Sequence, residues 1–170
     1  MVQLFEAIAE EEKAEFIFNN ELYSLGDDAT TPEKIFKLAA EHKGADFWIR
    51  NILGTQAVGE AELLIKSPIL LPEFEIKSKS HFASIFSRKK SRLKIHCENP
   101  TLDLFLHKSP ELSLLHDLIK ETQFEPYITG ENKLDGFLIR TEYHLQFVER
   151  TEVIRPLFHF YKKLIDQLSN

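Results

Sequence analysis

The chain has 170 residues, 43% hydrophobic and 28% charged, a balance that fits a globular fold and excludes a disordered or fibrous chain. Its formal net charge of −6 argues against a nucleic-acid module, and its single cysteine, Cys97, rules out an intrachain disulfide. The longest apolar runs, such as Ile69–Leu71, fall far short of the roughly 20 residues needed to cross a bilayer.

The opening MVQLFEAIAEEEKAEF turns acidic with no basic leader, so neither a secretory nor a transit peptide is expected, and the expected setting is cytoplasmic. Leu4, Phe5 and Ile8 predict a first helix. EFIFNNELYSLGDD predicts a strand, a turn at Asn19-Asn20 and a second short strand. TTPEKIFKLAAEHKG has the marks of a helix: Thr31 as cap, Pro32 in the first position, Glu33 in the first turn and Gly44 as its stop.

ADFWIRNIL and AELLIKS predict a hairpin turning through GTQAVGE, and LLPEFEIKS a further strand. HFASIF predicts a short helix. RLKIHC alternates, with Leu93, Ile95 and Cys97 on one face and Arg92, Lys94 and His96 on the other. LDLFLH, after the Asn99-Pro100 break, alternates in the same way. SPELSLLHDLIKET predicts a helix capped by Ser109, FEPYITG and GFLIRTEYHLQFV two strands around ENKLDG, and the segment from about Thr151 a long amphipathic C-terminal helix.

The expectation is therefore one α+β domain over residues 1–170, an antiparallel sheet with helices packed on one face. The two Pro-started helices suggest an internal repeat, roughly 16–76 and 92–170, as two βαββ-like halves. Fourteen Phe against one Trp predict a core of rings that need no polar partner.

No chemical motif emerges. The seven His have no metal-ligand spacing, and His96 and Cys97 point to opposite faces of a strand. Glycine-rich phosphate loops and nucleophile elbows are missing from the sequence. Cys97 has cationic neighbours, yet its alternation sets it with Leu93 and Ile95 as a small core residue. No catalytic residue, metal or cofactor is expected.

Charge is distributed unevenly. The first 33 residues are strongly acidic, whereas residues 76–97 hold no acid and carry Lys77, Lys79, Arg88, Lys89, Lys90, Arg92 and Lys94. These seven form the candidate site, a basic surface for an acidic protein partner or an anionic membrane. Phe82, Ile85 and Phe86, at helical spacing just before the cluster, suit a lipid surface. The bland alternative pairs the basic residues with the acidic N-terminus.

From Leu64 onward, LLPEFEIKS, RLKIHCENPTLDLFLHKSPELSLLHDLI, GENKLDGFLIRTEY and VIRPLFHFYKKLIDQL follow one another in an order that resembles a loose group of uncharacterised bacterial α+β domains. Some members of that group carry membrane helices upstream. The resemblance spans about two-thirds of the chain, rests on apolar positions and implies a bacterial α+β protein without known catalytic residues. The functional expectation is a non-enzymatic binding or regulatory module. Its alternative is a small enzyme whose polar, titratable groups converge in a pocket. Homodimerisation through a sheet edge or the final helix is a further expectation.

Overall fold

The computed structural model describes residues 1–26, 29–54, 57–78, 93–121, 124–145 and 152–169. Among them run α1 (Val2–Glu12), β1 (Glu15–Gly26), β2 (Ala29–His42), β3 (Ala45–Leu53), β4 (Ala57–Ile65), β5 (Phe74–Ser78), β6 (Leu93–Cys97), α2 (Pro100–Lys108), α3 (Pro110–Glu121), β7 (Tyr127–Lys133), β8 (Gly136–His144) and α4 (Ile154–Leu168). The strands form one antiparallel sheet in the order β1-β2-β3-β4-β8-β7-β5-β6. The class is α+β, as expected. Among the described residues no helix is long and apolar enough to cross a membrane.

Three local expectations are corrected. Residues 31–42 are strand, and 43–44 are a turn. Thr31-Pro32-Glu33 is a sound helix start, but Phe36 and Leu38 alternate inward with Lys37 between them, and neighbours on both sides reward extension. Pro32 is tolerated because β3 reaches only as far as Lys34, so its missing N–H breaks no bond on that side. Lys43 and Gly44, both at positive φ, make the two-residue turn into β3. With that helix gone, residues 31–44 and 109–121 no longer share an element type, and the repeat loses its first matching helix.

Asn19-Asn20 is no turn, because β1 runs through both. LDLFLH is helix α2, not strand. Asn99 Oδ1 accepts hydrogen bonds from the N–H groups of Thr101 and Leu102, each 3.0 Å, and Pro100 sits in the first turn. Leu102 and Leu106, one turn apart, are buried, which leaves Leu104 outside. The helix predicted at 81–86 lies outside the described residues.

The core is rich in Phe. Phe5 of α1 meets Phe16 and Phe36, with ring centroids 5.7 and 5.8 Å away. Phe158 and Tyr161 of α4 meet Phe47 at 4.9 and 5.9 Å. α4 buries Ile154, Leu157, Phe158, Phe160, Tyr161, Leu164 and Ile165, each worth about 1.5–3 kcal/mol on leaving water. Phe160 and Tyr161 are both fully buried, so α4 leaves neither ring for a dimer contact.

Candidate functional site

β5, β6 and β7 build the candidate site by alternation. Phe74 and Ile76 of β5 and Ile128 and Gly130 of β7 are buried, which turns Glu75, Lys77, Tyr127, Thr129 and Glu131 to the opposite face. Leu93 of β6 is buried, while Lys94 and His96 are exposed. The register then sets Lys77 directly across from Lys94 on one side and Tyr127 on the other, and Glu75 across from His96 and Thr129.

Of the seven basic candidates, the structure brings Lys77 and Lys94 together. Lys79, Arg88, Lys89, Lys90 and Arg92 lie outside the described residues, in the segment joining the ends of β5 and β6. Lys94 and His96 face the same side, as the alternation requires. Cys97 is half-buried, with Sγ 3.6 Å from the Asn99 carbonyl, and burial pushes its thiol pKa up.

The acidic N-terminal helix takes other partners. Glu11 pairs with Arg155, and Glu12 binds His159 Nε2 at 2.7 Å and Lys162 Nζ at 2.8 Å, all on α4. α1 packs on β1 and β2, five strand spacings or about 24 Å across the sheet from β5. Lys77 and Lys94 therefore do not neutralise it.

Sequence reasoning missed a groove of about 640 Å³ beside these lysines, lined by Glu73, Glu75, His96, Glu98, Tyr127 and Glu131 among others. A smaller hollow of about 160 Å³ continues from Tyr127 and Glu131 toward Arg140 and Glu142. The only advance signal was the outward alternation of Glu75, Tyr127 and Glu131. Their meeting depends on β5 pairing with β7, which no local pattern announces.

Two of the groove's carboxylates, Glu73 and Glu75, are held in place. Asn132 donates to Glu73 Oε1 from its backbone N–H at 3.0 Å and its side-chain amide at 3.2 Å, and these bonds hold the Glu73 carboxyl below its usual pKa. Lys77 Nζ lies 2.8 Å from Glu75 Oε2, and Tyr127 Oη donates to Glu75 Oε1 at 3.1 Å. These contacts lower the Glu75 pKa and raise those of Lys77 and Tyr127. Each shift moves its group away from neutrality, so Glu75 stays ionised, Lys77 charged and Tyr127 protonated at neutral pH. Among the described residues no group of three His, Cys, Asp or Glu side chains is placed to hold a metal ion.

The chain matches no protein-family model, and no curated protein or solved structure matches it significantly.

Proposed function

We propose that the chain is a non-enzymatic binding module whose partner is a protein segment carrying acidic side chains, docked at the β5–β6 end of the sheet. In this reading the helices cover one face of the sheet and leave the other to the partner. Phe36 and Phe47, which receive α1 and α4, lie on the same face, opposite Lys77 and Lys94.

The carrying observation is the cross-strand pair Lys77–Lys94. Like charges directly opposite one another destabilise a sheet, by a few tenths to about 1 kcal/mol. Glu75 offsets only part of this charge, and five more cations follow in the joining segment. An acidic partner would relieve the repulsion. A protein fits better than an anionic bilayer, because Glu73, Glu98 and Glu131 beside the lysines would be repelled by a uniformly negative surface. The enzyme alternative has less support. Among the described residues every displaced pKa, from Glu12, Glu73, Glu75 and Asp166 downward to Lys77, Cys97 and the tyrosines upward, moves away from neutrality.

The test is fluorescence anisotropy with a labelled Asp/Glu-rich peptide at low and high salt. Binding at low salt is expected, weakened at least tenfold in Lys77→Ser/Lys94→Ser. It should be nearly unchanged in Lys34→Ser/Lys163→Ser, which alters net charge equally at exposed positions elsewhere. Equal affinity in the two double variants, or no binding to the wild type, would sink the proposal. Flotation with phosphatidylserine vesicles, lost in the first variant, would move the assignment to lipid.

A further inference from the structure

The two ends of the sheet are treated differently. β6 is five residues long, carries Lys94 and packs beside α2. β1 is twelve residues long, and among the described residues nothing pairs with its outer edge. From Glu15 to Gly26 it contains no Lys, Arg or Pro, and its one irregularity falls at its far end, between Ser24 and Gly26. Lysines, prolines and central bulges are among the devices that keep sheet edges from pairing, and this edge lacks them; its charges are Glu15 and Glu21. It also leaves Phe18 and Leu22 44% and 74% exposed, both on the face that carries Phe16.

We infer that this edge pairs antiparallel with the same edge of a second copy, about a two-fold axis at Asn20. That register sets Phe18 against the second copy's Leu22, twice over by symmetry. It sets Asn19, an amide donor, against Glu21, and Asn20 against itself. Each facing pair shares a face of the sheet, as cross-strand partners must. Neighbouring registers are worse: an axis at Asn19 sets Ile17 against Glu21, and an axis at Glu21 sets two carboxylates opposite each other. The pairing extends the sheet across two copies and leaves both β5–β6 ends at the far extremes, so the dimer is independent of partner docking there.

Sedimentation equilibrium over a wide concentration range should show an average mass rising from 19.8 kDa toward twice that value. Asn20→Lys sets two cations face to face at an exposed position; it should remain monomeric with an unchanged circular dichroism spectrum. A wild type that stays monomeric, or an Asn20→Lys variant that still dimerises, would overturn the interface. Register is tested in a Cys97→Ser background with a short bis-maleimide. Asn20→Cys should crosslink many-fold faster than Glu15→Cys, whose two copies lie ten residues out of register, about 34 Å apart. Equal rates would overturn the register.

Discussion

Tyr143 lies across Gly59, and a Cβ on that glycine would stand 2.0 Å from the ring. The close approach carries the Tyr143 hydroxyl into the core, where it donates to Asn51 Oδ1 at 2.8 Å. Burial drives the Tyr143 pKa far above its usual value, so the phenol stays a donor. Asn51 is fully buried, and its Nδ2 has no partner among the described residues. Tyr143→Phe should therefore cost about 1–3 kcal/mol, because it strips from a buried amide the one side-chain bond it has among the described residues. Asn51→Leu should also destabilise, and urea unfolding of the double variant should show a loss smaller than the sum of the two. Strict additivity would mean that the hydrogen bond contributes nothing. Little of this was legible beforehand: Gly59 reads as a turn glycine until Tyr143, distant in sequence, is laid over it by the pairing of β4 with β8.

Among the elements, α1 and the β2–β3 turn are both tied to α4 by carboxylates. Burial raises the Glu12 pKa, but hydrogen bonds from Lys162 and His159 outweigh it and leave the group below its ordinary 4.5. Hydrogen bonds from Lys43 and His42 likewise hold Asp166 below 3.8. Both folded-state pKa values lie below the unfolded ones, so this stabilisation is complete above about pH 4.5 and is lost as pH falls through the folded values. Between about pH 6 and pH 3 the wild-type Tm should fall more steeply than that of Glu12→Gln. Parallel curves would show that the Glu12 contacts add no stability. At this scale, cap chemistry was a good guide where tertiary neighbours agreed with it. Ser109 accepts from Leu112 N–H at 3.2 Å and starts α3 as read, whereas Thr31-Pro32-Glu33 was overruled by two flanking strands. The alternation of LDLFLH misled because Leu102 and Leu106 satisfy a helical spacing equally well.

At the scale of the whole molecule, β8 sits between β4 and β7 and joins the strands of the first half to those of the second. Trp48 of β3, beneath Lys37 and Arg50 at 5.4 and 4.9 Å from its ring, reports on the first half. If β8 makes the sheet one cooperative unit, Trp48 fluorescence and far-UV circular dichroism should give coincident urea transitions; separated midpoints would mean that the two halves unfold independently. The α+β class and most strands were legible in alternation, but the strand order was not, because Val58 meets His144 and Ile65 meets Phe137 only after a long detour through β5, β6 and β7. That detour carries a cost during synthesis. As the chain leaves the ribosome, β1 to β4 can zip into a meander by local turns, yet the inner edge of β4 has no mate until residues 136–144 are made. A nascent chain paused before that point displays Leu63 and Ile65 on an unsealed strand, which makes the stretch of synthesis between residues 65 and 144 the interval in which a holding chaperone matters most.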